Sequence, residues 1–427
     1  MLIINNSSEL ITDKSQLAEI FYSGCKNEQT IGVESEKLLV YKNNGKAVCY
    51  EDVVKILYGF DENKWQKLFD GKNIVGLKSD IGSISLEPGS QVEISLKPYN
   101  SIDEITSKLL SFYTKLSDEA EKIGACILNS GNQNVSTFDN ISVIPKRRYE
   151  YMTKYLPSKH LTPFVMMRET AGIQANIDYK DEYDAIEKLA LALKMSPIIS
   201  SVYANSPVRN SKLTGYKSFR ANSWLNVDED RCGYISKKLF EKNLDFGFKD
   251  YVEILLDIPM IFIQRGDTYF PTSQTFREFM QKGYMGINPT IHDWHTHISL
   301  YFPDVRLKSY VEIRNHDAQS SLMTLSVPAF WKGIMYNSSA FEEIEKILSK
   351  FTYEDFMILR EQTPKTAINT EIGKYKVADL AKEFFNISYD SLKENKLNEE
   401  HYLDVVFQYL SLNKVPADDV ILKYNKL

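Results

Sequence analysis

The sequence predicts an α+β fold: an antiparallel sheet with one apolar and one polar face, flanked by helices and followed by a helical C-terminal extension. Three observations carry this. Four short stretches alternate polar and apolar residues with a period of two, as half-buried strands do. Between them lie segments whose apolar residues recur at three- and four-residue spacing, as in helices packed along one face. Beyond residue 318 the strand pattern stops and helical periodicity takes over.

The organising strand lies in residues 85–96, where Gln91, Glu93 and Ser95 share one face and Val92, Ile94 and Leu96 the other. Pro88-Gly89 breaks the chain just before it and leaves Glu87 at its mouth. Residues 31–40 put Glu34 and Glu36 on one face, and residues 310–315 put Glu312 and Arg314 in front of Val311 and Ile313. In 170–178, Gln174, Asn176 and Asp178 lie over Ile173, Ala175 and Ile177. Taken singly, each is the wet side of an antiparallel sheet. Together they predict one sheet whose polar front lines a cavity, because a solvated face mixes in more Lys and Thr. Crowded carboxylates raise one another's pKa or share cations, and hard oxygen donors favour Mg²⁺ or Mn²⁺ over zinc.

The remaining elements follow in order. Leu17, Ile20 and Phe21 mark a first helix in 13–24, and Asn43-Asn44-Gly45 turns the first strand back. Residues 50–59 and 62–70 read as short helices, the second stopped by Gly71. From Gly71 to Gly76 the chain nearly spells a phosphate-binding loop, but Leu77 separates Gly76 from Lys78, so the lysine cannot reach a cradled phosphate. A turn at 80–82 leads to the organising strand. Ser101 and Glu104 cap a helix running to Gly124, with the stripe Ile105, Leu109, Phe112 and Leu116. Residues 126–129 read as a buried strand, Lys146-Arg147-Arg148 as a basic helix start, and 181–196 as a helix ending before Pro197. Arg220 and Trp224 precede an acidic loop, Asp228-Glu229-Asp230-Arg231, which alone reads as a polar surface turn. Helices at 248–256 and 273–281 bracket a strand near 259–264. His292, His295 and His297 have no nearby thiolate and no HxxxH spacing, which disfavours zinc. Helices at 318–337, 339–350, 366–384 and 396–412 close the chain. The expected division is a catalytic domain over 1–339 and a helical extension over 340–427 packed on it.

The bulk numbers narrow the function. At 427 residues, with 43% hydrophobic and 25% charged content, the composition is that of an ordinary soluble protein. A net charge of −6 argues against nucleic-acid binding. Cys25, Cys49, Cys126 and Cys232 form no CxxC pair, which disfavours a disulfide framework and fits a reducing cytosol. The N-terminus lacks a basic region before its apolar residues, and no apolar run has the length of a membrane span. The expectation is a cytoplasmic protein, a monomer or homodimer, acting on small molecules without nucleic-acid or membrane partners.

Six motifs then occur in order: GVESEK, SISLEPGSQVEIS, MMRETAGIQANIDY, SVYANSP, SFRANSWLNVDEDRCG and DWHTHISLYFPDVRLKSYVEIRNHD. Together, over residues 31 to 331, they closely resemble the plant-type glutamate–cysteine ligases, part of the carboxylate–amine ligase superfamily. That resemblance implies a glutamine synthetase-like curved antiparallel sheet lining the active-site cavity. It implies an ATP-dependent ligase that converts the γ-carboxylate of L-glutamate to γ-glutamyl phosphate. Attack by the amine of L-cysteine would then give γ-glutamylcysteine, the first step of glutathione biosynthesis. By the same resemblance Glu34, Glu36, Glu87, Glu93 and Glu312 are expected to hold two or three Mg²⁺, with Mn²⁺ as an alternative. Arg314 and Gln174 are the expected catalytic residues, Gln174 standing where some relatives carry histidine. Arg220, Asn176, Arg231 and Trp224 are expected in the substrate pocket. Pro145-Lys146-Arg147-Arg148-Tyr149 matches a Pro-Lys-x-Arg-Tyr element, pointing Lys146 or Arg148 at phosphate or nucleotide. Of the three histidines, only His297 matches the family. Three alternatives stay open: a sibling γ-glutamyl ligase using another amine, a phosphagen-type kinase on a related sheet, and a non-catalytic relative.

Overall fold

A computed structural model describes residues 9–156, 162–241 and 245–426. Among these residues a nine-stranded antiparallel sheet forms the centre. Its strands are β1 (Ile31–Tyr41), β2 (Gln66–Asp70), β3 (Asn73–Ser79), β4 (Gly82–Leu86), β5 (Val92–Leu96), β6 (Ala125–Leu128), β7 (Gly172–Ile177), β8 (Val305–Leu307) and β9 (Val311–Asp317). They run in the order β8-β9-β7-β1-β5-β4-β3-β2, with β6 pairing the far end of β1. The expected α+β class and antiparallel sheet are thus present.

Alternation places the apolar sides of these strands together. Val33, Ile84, Val92, Ile94, Ile173, Ala175, Ile177, Val311 and Ile313 are all buried. Helices α1 (Ile102–Glu121), α3 (Glu182–Val202) and α5 (Ser321–Met335) contact this sheet: α1 at β5 and β6, α3 at β8 and β9, α5 at β1 and β7. The other face is left for polar side chains. Short helices α2 (Arg147–Tyr155) and α4 (Phe219–Trp224) supply side chains to that face.

Three expected elements differ. Residues 62–70 are not a helix: β2 and β3 form a hairpin through Asp70-Gly71-Lys72-Asn73, with Gly71 at φ 60°. Glycine as the first of two loop residues is itself a hairpin signal, so Gly71 turns a hairpin here and does not stop a helix. The helix expected to end before Pro197 continues to Val202. A mid-helix proline costs about 3 kcal/mol, but this helix is buried through nearly all its length between the sheet and other helices, and that packing outweighs the local cost. The helix expected at 366–384 is interrupted by a small hairpin, Glu371–Ile372 with Tyr375–Lys376, turning at Gly373. Helix α6 (Tyr353–Thr366) precedes it and α7 (Val377–Glu394) follows. Neither α6 nor that hairpin was expected. The C-terminal helices pack on α3 and α5.

Gly71 supplies a test. A Cβ there meets nothing within 4 Å, so substitution strains only the left-handed backbone. Gly71→Ala should lower stability by about 1 kcal/mol, read as a shift in denaturant midpoint. An unchanged midpoint would contradict the left-handed turn.

Candidate functional site

Strand register fixes the front face. Glu36 stands directly opposite Glu93, and Glu93 opposite Ser85. In a parallel row, Gln174 faces Glu34 and Glu34 faces Ser95. A third row runs from Arg306 to Glu312 to Asn176. Because the side-chain period is two, these residues project to one side while their neighbours enter the core.

An irregularity completes the arrangement. Between Ile313 and His316, β9 carries one residue more than β7 opposite. Alternation keeps Arg314 on the front beside Glu312, and the bulge then turns His316, which would otherwise follow it there, to the back opposite Ile173; bulges commonly re-aim side chains in this way. Glu87 comes from the β4–β5 turn, where Ser90 adopts φ 70°. Gln91 ties that turn to the helix of residues Thr162–Glu169, donating to the carbonyls of Met167 (3.1 Å) and Thr170 (2.8 Å).

These side chains enclose a cavity of about 260 Å³. Its walls include Glu34, Glu36, Glu87, Glu93 and Glu312, with Gln174, Lys146, Arg148, Arg220, Trp224 and Arg314. Eleven of the thirteen side chains expected at the site therefore share one hollow. The other two do not line it. Asn176 shares the front face and donates from Nδ2 to Glu34 Oε1 (2.9 Å). Arg231 is fully buried elsewhere: it ion-pairs with Asp228 (3.1 Å), donates to the carbonyls of Leu300 and Pro259, and lies over the Tyr155 ring. The acidic loop thus ends in an internal ion pair, and Arg231 is a structural residue instead of a substrate ligand.

Two electrical zones divide the cavity. Glu34, Glu36, Glu87 and Glu93 form the acidic one. Burial pushes Glu36 up to about 7, with Glu87 adding to the rise and Arg220 opposing it. Burial also holds Glu93 well above the usual carboxylate range, with repulsion from Glu34, Glu87 and Glu36 adding to it. Glu93 Oε1 accepts from Ser85 (3.1 Å) and Ser95 (3.0 Å), and Glu36 Oε2 accepts from the Gly172 amide (2.5 Å). Tyr149 donates to Glu87 Oε2 (3.1 Å).

Glu312 is the hub of the other zone. Its oxygens accept from Lys308 (2.7 Å), Arg306 (2.7 Å) and Arg314 (2.8 Å). Burial opposes its ionisation, but the three cations together outweigh burial and hold it well below the usual range. With its oxygens shared in this way, Glu312 serves as a counter-ion, and of the five expected metal ligands it is the one already occupied by three cations. Arg314 also donates to Gln174 Oε1 (3.0 Å). Arg220 donates to the Arg314 carbonyl (2.9 Å) and pairs with Asp317 at 3.8 Å. Its Nε is buried without a hydrogen-bond partner, as is Trp224 Nε1. Gly172 makes room for it, since a Cβ there would collide with the Arg220 guanidinium.

Among the described residues, no three His, Cys, Asp or Glu side chains gather closely enough to cage one ion. Glu36 and Glu93 instead face one another across strands, with Glu34 two residues before Glu36 on β1 and Glu87 on the β4–β5 turn. That suits Mg²⁺, which is held by one or two carboxylates together with substrate phosphates and waters. His297 has another role: it is buried against Phe276 and Trp294, its ring nitrogen bonds the Leu255 carbonyl (2.8 Å), and burial pushes it down to about 3.

Arg306, Lys308, Tyr149 and Asp317 were not among the expected site residues. A signal for two of them was present: Arg306 and Lys308 are two apart in DVRLKS, hence on one face of a strand. Tyr149 ended the matched basic element. Asp317 closed the last matched motif, but its role as a buried acceptor for Ser206 and Ser218 depends on distant segments.

The profile of glutamate-cysteine ligase family 2 (GCS2) matches residues 30–415. Chloroplastic glutamate–cysteine ligase A from Oryza sativa subsp. indica is 33% identical over 96% of this chain and 84% of its own length. The chloroplastic enzyme of Arabidopsis thaliana is 31% identical over 96% and 80%. Among solved structures, a glutamate–cysteine ligase from Francisella tularensis in complex with AMP aligns with TM-score 0.56 at 14% identity, covering 93% of this chain and 85% of that one. A bifunctional glutathione synthetase from Pasteurella multocida aligns with TM-score 0.52 at 14% identity, covering 96% and 50%.

The raised Glu36 carboxyl has a consequence for stability. It binds its proton more tightly in the folded chain than at the ordinary value of 4.5. Folding is therefore least opposed below pH 4.5 and loses stability as pH rises toward about 7. Without divalent cations, Glu36→Gln should flatten part of the fall in Tm over that window. A difference between variant and parent that does not grow with pH would refute this.

Proposed function

The chain belongs to glutamate-cysteine ligase family 2, and from that premise we propose that it joins L-glutamate to L-cysteine at the expense of ATP. The observation that carries this reading is the two-zone cavity: four carboxylates on one side, a cationic hub on the other, on one face of one sheet.

Joining a carboxylate to an amine in water is uphill, so the carboxylate must first become an acyl donor. A γ-carboxylate oxygen of glutamate attacks the γ-phosphorus of ATP; the P–O bond to ADP breaks and γ-glutamyl phosphate forms. The neutral amine of cysteine then attacks the carbonyl carbon, the C–N bond forms, and phosphate leaves with the C–O electron pair. The nitrogen's surplus proton passes to solvent, and no side chain is assigned to take it.

The chain's own residues supply charge and position. Arg220, with a free Nε, grips a carboxylate of glutamate, since a guanidinium matches carboxylate geometry. Trp224 walls that end of the cavity. Arg314, kept charged by Glu312 and aimed by Gln174, faces the moving phosphoryl group, with Arg306 and Lys308 behind it. Lys146 and Arg148 line the cavity next to Glu87, at the acidic end, where they would meet nucleotide phosphates. Asn176 braces Glu34. Glu34, Glu36, Glu87 and Glu93 would hold Mg²⁺, which supplies charge neutralisation across the phosphates. A reducing cytoplasmic setting accords with four unpaired cysteines.

Incubation with ATP, Mg²⁺, glutamate and a panel of amines should release phosphate fastest with cysteine, with γ-glutamylcysteine as the product by mass. Indifference to cysteine would point to a sibling ligase, and a phosphorylated acceptor without an amide to a kinase. Glu36→Gln and Glu93→Gln should each lose on the order of a hundredfold in kcat without a lower Tm, because removing a charge relieves repulsion. A matching collapse in Tm would make these acids structural.

A further inference from the structure

We propose that Arg360, on helix α6 in the C-terminal region, is a positioning residue for the two arginines of the site; this rests on the ligase reading above. Arg360 lies outside every motif that resembles the family. It makes a two-pronged ion pair with Asp304, Nε to Oδ2 at 2.6 Å and Nη2 to Oδ1 at 3.2 Å. Its guanidinium lies over the Tyr234 ring and against Gly233, whose Cβ-less backbone at φ 110° makes room for it.

Asp304 is no ordinary anchor point. Its carbonyl accepts the backbone N–H of Arg314 (3.1 Å), and its own N–H donates to Gly233 (3.1 Å). Two residues earlier, the Phe302 ring packs against both the Arg314 guanidinium and Trp224. Fixing Asp304 therefore fixes the turn on which Arg314 leans. Four residues beyond Arg360, the Pro364 carbonyl accepts the N–H groups of Lys217 (3.0 Å) and Ser218 (2.9 Å). Carbonyls in the last turn of a helix lack intrahelical partners, so this one is free to do so. Ser218 caps α4 and donates to Asp317, setting the segment that carries Arg220. One helix turn thus braces both arginines from behind. Arg360, Thr363 and Pro364 share a small cavity of about 50 Å³ with Arg220 and Arg314, which also line the larger one.

A staple that merely attached the C-terminal helices would affect stability and leave the chemistry of folded enzyme alone. Arg360→Lys keeps the charge but loses the planar fork; Asp304→Asn keeps the shape but loses the charge. Both are compared with parent enzyme for kcat per mole of folded protein, KM for ATP and Tm. We expect kcat about tenfold lower in each, since sub-ångström misplacement of a catalytic group is costly. KM for ATP should stay within about twofold, Tm within a few degrees, and the double variant should be no worse than the worse single one, as coupled partners behave. Unchanged kcat in both variants, or a loss of kcat that only follows loss of folding, would overturn the proposal. Parent enzyme that forms no γ-glutamylcysteine would sink the ligase reading itself, a distinct outcome from active parent with unaffected variants.

Discussion

Everything in this fold answers to one electrostatic constraint: four glutamates held together on the polar side of a sheet whose reverse is sealed by hydrocarbon. The pairing of Glu36 with Glu93 across β1 and β5 is set by backbone hydrogen bonds, so neither side chain can withdraw without breaking the register. Repulsion and poor solvation therefore remain in the folded state, visible as carboxyls that hold their protons. A sheet would not keep such a row for its own stability. It is kept by the many apolar contacts behind it, and it makes the front receptive to positive charge.

The basic side of the cavity is built on the opposite logic. Glu312 is deeper than the other acids yet firmly ionised, because Arg306, Lys308 and Arg314 surround it. Removing one partner from such a buried group costs far more than the pair contributes to stability. The arrangement is best understood as a device for orientation: a fixed anion holds three cations that would otherwise repel one another. An acidic half that wants cations and a basic half that wants anions make a natural seat for a metal–phosphate pair.

Much of this was legible from the chain because period-two alternation reports directly which side chains share a face. Glu34, Glu36, Glu93, Glu312 and Gln174 could be placed that way before any pairing was known. Local signals failed where tertiary context overrode them. Pro197 marks a helix end by its chemistry, yet burial carries the helix through. Gly71 reads as a helix stop or as a hairpin residue, and only the partner strand decides. Arg231 shared a motif with true cavity residues but faces inward, because proximity in sequence says nothing about which side of a loop is buried. The roles of Asp317 and Arg360 were unreadable for a further reason: each acts on segments that the fold alone brings near.

The contact between Gly172 and Arg220 shows that a missing atom can be part of a binding site. The guanidinium rests where any other amino acid would put its first side-chain carbon, while the same glycine's amide bonds Glu36. Position 172 is thus tied to Glu36 by its amide and to Arg220 by its missing Cβ. The dependence runs one way: even alanine at 172 would push the Arg220 guanidinium from its seat, whereas a change at 220 would leave the glycine's own fit untouched.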